Sequence, residues 1–312
     1  MDTAQGEYLL LGDPQDPWCL AVGAALEAED HAVRTVANPL VDPACFSWHL
    51  DNGRSESRLD EPGNSPLTDR NINGVFVRHA VWIDPVGWQA DDLAYMHAEL
   101  QAALIAWLHS LACPVVNRYP AAIWYQPQTP LLSWHPLLRQ CGLPVLETLI
   151  TNVPQEAHAM RLRLAQAGVP GAIYGPLTSS ARYRLATDED WDRLTAMQEY
   201  APACLPYPHG EIHSLCIVGE QVIWNGQPLP EAVRWESALC RFAAAAGLNF
   251  VALSLANASE GPCIVSVEPH PQFEQFGEAA RQSIVKKLVE LLTAGNNRRH
   301  EAPARLSRGS SR

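Results

Sequence analysis

The sequence predicts an α/β fold, and three observations carry that expectation. The chain opens as strand, helix, strand with short connections; a long amphipathic helix then follows a buried strand; and the last third alternates short strands with two helices. Alternation of this kind builds a helix-covered parallel sheet, whereas clustered strands and helices build α+β lobes.

The elements follow in order. Glu7 to Gly12 (EYLLLG) is a short apolar run ending at a glycine, and Pro17 to Glu29 has a helical pattern. His31 to Val36 then reads as a second strand. Asp51 to Asn71 is polar and rich in Gly, Pro, Ser and Asn, which predicts a meandering loop or weak hairpin. Gly74 to His79 reads as a buried strand. Asp91 to Leu111 places Leu93, Met96, Leu100, Ala103, Leu104, Trp107, Leu108 and Leu111 on one helix face, with Asp91 and Asp92 at the positive end of its dipole. Cys113 to Asn117 closes the first domain as a strand.

A proline-rich stretch, Tyr119 to Pro136, opens the second region. A helix at Leu137 to Cys141, a strand at Glu147 to Thr151, a helix at Gln155 to Ala167 and a strand at Gly171 to Gly175 follow. Asp188 to Asp190 precede a helical Trp191 to Met197 and read as its acidic cap. The third region carries strands at Ser214–Val218, Gln221–Trp224, Phe250–Leu255 and Ile264–Val267, with helices at Glu231–Ala246 and Gly277–Leu292. From Gly295 the chain is polar, basic and small, which predicts a disordered tail. The expected domains are 1–118, 119–196 and 197–294, with the tail at 295–312.

Composition narrows the function. The formal net charge of -12 argues against a nucleic-acid partner, because a phosphate backbone calls for a basic surface. No run approaches the about 18–20 uninterrupted apolar residues of a membrane helix, and the N-terminus has no signal-peptide pattern, so a cytoplasmic protein is expected. Eight singly spaced cysteines, none in CxxC spacing, read as buried free thiols. Among ten tryptophans, Trp82, Trp88, Trp124 and Trp134 fall in or near proline-containing loops, with packing beneath loops as the expected role.

Four phrases in order resemble the ATP-grasp family, in its peptide- and amino-acid-ligating branch that includes the graspetide ligases. They are Phe76-Val-Arg78 with Val116-Asn117; Gly142-Leu-Pro-Val-Leu-Glu-Thr148; Gln198-Glu-Tyr200; and Gly247-Leu-Asn-Phe-Val-Ala-Leu-Ser254 with Val265-Ser-Val-Glu-Pro-His-Pro271. The match covers about residues 7 to 292 and implies a Rossmann-like N-terminal domain followed by two α+β lobes. It also implies a chemistry in which ATP phosphorylates a carboxylate and an amine attacks the acyl phosphate, with magnesium and cations spreading the phosphate charge.

Residue by residue, the resemblance lays the family's metal-binding aspartate, glutamate and asparagine on Ser254, Ser266 and Glu268. Its phosphate lysines fall near Thr129 and on Gly175, its glycine-rich flap on Thr178 to Arg184, and a strand arginine on Ser214. The chain's only lysines are Lys286 and Lys287. Arg182 and Arg184 are therefore the substitute phosphate cations, Glu199 and Tyr200 the adenine and ribose contacts, and Glu268 the remaining metal carboxylate. His209, Glu211 and His213 share a face if their segment is a strand and could bind zinc or iron, although flanking Pro206 and Pro208 favour a polar hairpin edge.

The leading expectation is a degenerate ATP-grasp protein, without cofactor, acting as a binding or partner subunit for a peptide, an active homologue or a second copy of itself. The alternative is an active ATP-dependent carboxylate–amine ligase that uses ATP and magnesium. A further alternative is a peptide-binding module without chemistry.

Overall fold

The computed structural model describes residues 6–41, 43–52, 54–78, 86–125, 131–168, 171–175, 183–206, 210–258 and 261–300. Contacts divide the chain into two compact units, Met1–Arg118 with Val285–Arg312, and Tyr119–Ile284.

The first unit is built on a parallel sheet. Strand β1 (Glu7–Leu11) leads into helix α1 (Pro17–Glu27) and strand β2 (Ala32–Val36). Asp16 caps α1, accepting hydrogen bonds from the Trp18 and Cys19 amides at 2.9 and 3.0 Å, and Pro17 sits at the first turn, where its missing N–H costs nothing. An antiparallel meander follows: β3 (Cys45–Asp51), β4 (Arg54–Asp60) and β5 (Leu67–Thr68). Strand β6 (Ile72–Val77), helix α2 (Ala90–Ser110) and strand β7 (Val115–Val116) complete the unit's first part. The parallel order is β2-β1-β6-β7. Central strands β1 and β6 are buried almost throughout, as expected of strands covered on both faces.

Of the loop or weak hairpin expected over Asp51 to Asn71, the antiparallel β4–β5 pair realises the hairpin, and the meander adds a strand, β3, ahead of that stretch. Its composition reads as a loop because one face is solvated: Glu56, Arg58 and Asp60 alternate with Ser55, Ser57 and Leu59, and Arg58 pairs with Asp60 at 2.7 Å on the wet side. The other face rests on α2, where Trp107 Nε1 donates to Ser57 Oγ at 2.8 Å and the Phe46 ring meets Trp107 edge-on at 5.2 Å.

The second unit holds two lobes. Helices α3 (Ala121–Tyr125) and α4 (Leu131–Gln140) lead in. Helix α4 begins six residues before the expected Leu137, running through Pro136, because Trp134 and Leu138, one turn apart, bury together and Trp134 packs on Phe242 at 5.8 Å. The smaller lobe comprises β8 (Thr148–Thr151), α5 (Pro154–Gln166), β9 (Ala172–Tyr174), β10 (Tyr183–Leu185), α6 (Asp188–Gln198) and β11 (Ala203–Pro206). Strand β9 pairs with β10 and β8 with β11, both antiparallel, and the Gly175 amide donates to Cys204 O at 3.0 Å. Ala157, Met160, Leu164, Trp191, Leu194, Ala203 and Leu205 share one core. That core runs past residue 196, where the expected boundary would cut through α6.

The larger lobe adds β12 (Ile212–Val218), β13 (Gln221–Trp224), α7 (Glu236–Ala245), β14 (Phe250–Ala258) and β15 (Gly261–Glu268), in antiparallel order β13-β12-β14-β15. The phrase beginning at Gly142 extends this sheet: Ile264 exchanges backbone hydrogen bonds with Pro144 O at 2.8 Å and the Leu146 amide at 3.1 Å. Helix α8 (Glu278–His300) ends the described chain. It runs six residues past Ala294, the expected end of folded structure, because the helix anchored by Leu288, Val289 and Leu292 propagates through residues that the sequence assigns to the tail. A glycine costs a helix only about 1 kcal/mol, so Gly295 is no obligatory stop. Residues 301–312 lie outside the described residues. Among the described residues no helix is long and apolar enough to cross a membrane.

The acidic start of α6 is a capping box, as the sequence predicts: Thr187 Oγ1 accepts from the Asp190 amide at 3.2 Å, and Asp190 Oδ2 accepts from the Thr187 amide at 2.8 Å. Those hydrogen bonds hold the Asp190 carboxyl below its ordinary 3.8. Its contribution is therefore complete above that value and is lost as the pH falls through the lower folded value. Asp190→Asn should melt below the parent at pH 7, with the gap closing on acidification below pH 3.8 in paired melting curves. A gap independent of pH would show that the charge adds nothing.

Candidate functional site

The register of the larger lobe brings three hydroxyls into one row. Ser214 on β12 stands opposite Ser254 on β14, which stands opposite Ser266 on β15. All three are half-buried. One step along the same face, Cys216, Ala252 and Glu268 form the next row; one step the other way, Ala256 stands opposite Cys263 and packs with Leu146 and Val265. A register shift after Ser254 keeps the two rows aligned on either side of it. The opposite face carries Leu215, Leu253 and Val267, all buried.

These are the positions that the resemblance matches to an arginine, an aspartate and a glutamate. Chain positions 214, 254 and 266 lie far apart in sequence, yet the sheet makes them neighbours. The chemistry here is that of small neutral hydroxyls. Magnesium is a hard cation that takes carboxylates, carbonyls and phosphate oxygens, and this set offers one carboxylate. Glu268 Oε1 is engaged as well, accepting from the His270 amide at 3.0 Å. The His270 ring lies 4.5 Å from that of Tyr119, whose hydroxyl donates to Pro269 O at 3.2 Å. The donor set of the described residues does not fit a magnesium ion.

The other sequence-derived residues stand elsewhere. Arg184 is exposed on β10 opposite Ile173. Arg182 lies outside the described residues, as do Thr129 and residues 178–181. Glu199 and Tyr200 are exposed at the C-terminal end of α6, with Tyr200 88% exposed. The connection between the lobes leaves instead from β11 and enters β12 at Ile212. An inter-lobe hinge role for Gln198 to Tyr200 is thereby corrected: Gln198 is buried and donates to Thr151 O at 3.0 Å, which anchors the helix to its own sheet. Gly175, at the end of β9, is buried.

His209 lies outside the described residues. Glu211 is exposed just before β12, and His213 sits on β12 opposite Leu255. Among the described residues no group of three His, Cys, Asp or Glu side chains could hold a metal. All eight cysteines are free, with Cys45 exposed and Cys141 and Cys240 half-buried rather than buried as the sequence suggests. Trp124 and Trp134 are buried; Trp88, at 54% exposure, corrects the packing role expected for it, and Trp82 lies outside the described residues.

Comparison with solved structures fixes the fold. The macrocyclase MdnC from Microcystis aeruginosa, crystallised with its precursor peptide MdnA, superposes with a TM-score of 0.72 at 17% identity over 93% of this chain and 99% of its own. The fold is that of the ATP-grasp peptide ligases. A Chryseobacterium gregarium ATP-grasp ligase, solved with ADP and a leader and core peptide, gives 0.69 at 13% identity over 93% and 97% of the two chains. The ligase PsnB with a minimal precursor gives 0.69 at 20% identity over 93% and 99%. No family model and no curated protein sequence matches the chain.

The serine row makes a direct expectation. Directly opposed side chains in an antiparallel pair lie about 4.5–5.5 Å apart at Cβ, and like charges there repel. The double variant Ser254→Asp/Ser266→Glu should melt below the parent in chelator and recover on adding magnesium. The parent should melt at the same temperature in both. Magnesium stabilisation of the parent would show that its hydroxyls and Glu268 suffice for the ion.

Proposed function

We propose that this chain is a peptide-binding protein on an ATP-grasp ligase scaffold whose nucleotide and metal machinery has degenerated, and that it serves as a non-catalytic binding or partner subunit in a peptide-modification pathway. The observation that carries the reading is the Ser214–Ser254–Ser266 row, three neighbouring hydroxyls at the positions that the resemblance assigns to an arginine and two metal carboxylates. Phosphoryl transfer leaves little covalent work to the protein; it depends on positioned cations and metal to hold developing charge. Losing one ligand weakens such a site, whereas losing a cation and two metal carboxylates in one row removes its organising charges. Peptide recognition survives that loss, because it rests on grooves, backbone edges and side-chain pockets rather than on magnesium.

Three structural neighbours solved with precursor or leader peptides support the peptide part of the reading. The proposed partner is a modifying enzyme that retains the intact site, to which this chain presents or retains the peptide. Self-association is the other arrangement compatible with a subunit role, and sedimentation of the purified chain separates the two.

An ADP-release assay over amino acids, acidic peptides and precursor-type peptides should stay at background with magnesium-ATP present. Fluorescence anisotropy with the same labelled peptides should report binding, unchanged by nucleotide. Peptide-stimulated ADP release would make the protein an active carboxylate–amine ligase. Absence of binding with every peptide would remove the peptide-binding reading.

A further inference from the structure

The parallel sheet of the first unit has a topological switch point. From β1 the chain passes through α1 to β2, and from β6 it passes through α2 to β7; β2 and β7 lie on opposite sides of the β1–β6 pair. Where connections leave neighbouring parallel strands in opposite directions, a crevice opens outside their carboxyl ends, and open α/β sheets bind ligands there. Gly12 to Asp16 leave β1 at this place, and Arg78 leaves β6, its amide donating to Leu11 O at 2.7 Å.

Arg78 is arranged unusually for a surface cation. Its side chain is only 5% exposed, and its Nε and Nη2 donate to the Asp16 carboxylate at 3.3 and 3.2 Å. Nη1 is buried and has no hydrogen-bond acceptor among the described residues. A buried donor left without a partner is costly, the more so on a charged group. The fold holds the side chain in place nonetheless. A Cβ at Gly12 would lie 3.0 Å from Arg78 Cβ and 3.1 Å from Cys19 Sγ, so the glycine lets the arginine pass tightly over the β1 loop. Asp16 is itself fixed, because its other task is to cap α1.

We propose that this switch point is a carboxylate-recognition site, with Arg78 Nη1 as the donor and Asp16 as the counter-charge that sets the guanidinium's orientation. The proposal rests on the peptide-binding reading and names one group of the peptide that is recognised. The surroundings select among anions. Asp16 balances the arginine and Asp13 lies close by in the same loop, so a doubly charged phosphate meets repulsion where a single carboxylate gains a charge-assisted hydrogen bond. The Cys19 thiol beside the site, pushed up to about 12 chiefly by burial and next by the Asp16 carboxylate, stays protonated and adds no charge. The carboxylate can come from an Asp or Glu side chain or from a chain terminus, and both present the same two oxygens.

Calorimetric titration of the full chain tests the assignment with three probes: the amide of acetyl-glutamate for a side-chain carboxylate, acetyl-glycine for a terminal one, and the amide of acetyl-glutamine as the neutral control. At least one carboxylate probe should bind, the neutral one should not, and the tighter of the first two identifies the source. Arg78→Lys keeps a cation for Asp16 but loses the fork, and should weaken the binding about tenfold or more. Asp16→Asn retains a capping side chain while removing the counter-charge, and should tighten it. If Arg78→Lys does not fold, the direction of the Asp16→Asn change decides alone. Equal binding of the neutral probe, no binding of either carboxylate, or an Asp16→Asn variant that binds no tighter overturns the site. Precursor-type peptide binding that survives Arg78→Lys overturns this site while leaving the peptide-binding reading intact.

Discussion

The constraint on which the functional reading depends is the register of one antiparallel sheet. Side chains on a strand alternate faces, so a slip of a single residue would send Ser214, Ser254 and Ser266 to the buried side and bring Leu215, Leu253 and Val267 out. The apolar row fixes the choice: those leucines and the valine are buried, whereas the three serines are half-buried. Hydrophobic burial thus decides where three hydroxyls stand, although they contribute little to stability themselves. The same register sets Glu268 one step away, where the His270 amide holds it.

The fold as a whole could be read because its strands and helices differ in period. Continuous apolar runs such as Tyr8–Leu11 identified buried parallel strands, and the α2 stripe ending in Leu104, Trp107 and Leu108 identified a long helix. The β3–β5 meander is legible only as a loop or weak hairpin, because a sheet with one wet face is half polar and its apolar partner, Trp107, lies about fifty residues away on another element. Helix α4 was obscured by Pro136, a residue that ordinarily ends a helix, and was rescued by burial of Trp134 and Leu138.

The site was legible in part. The resemblance selected Ser214, Ser254 and Ser266 one at a time, but nothing local in the sequence says that they form a row; that needs the pairing of three strands. The phrase Gln198-Glu-Tyr200 misled, because its likeness to a hinge is local whereas a hinge is defined by the chain's passage between lobes. That passage follows β11, and Gln198 is occupied in holding α6 to Thr151. The role of Arg78 in a switch-point crevice was also beyond local reading, since it depends on the order of four strands and on a glycine in a different loop.

If the serine row has replaced the charges that a nucleotide needs, the scaffold has been kept for its shape and surfaces rather than its chemistry. Calorimetric titration of the purified chain with ATP, with and without magnesium, addresses that claim most directly. No magnesium-dependent heat of binding is expected at micromolar protein. Micromolar binding that appears with magnesium and vanishes with chelator would contradict it.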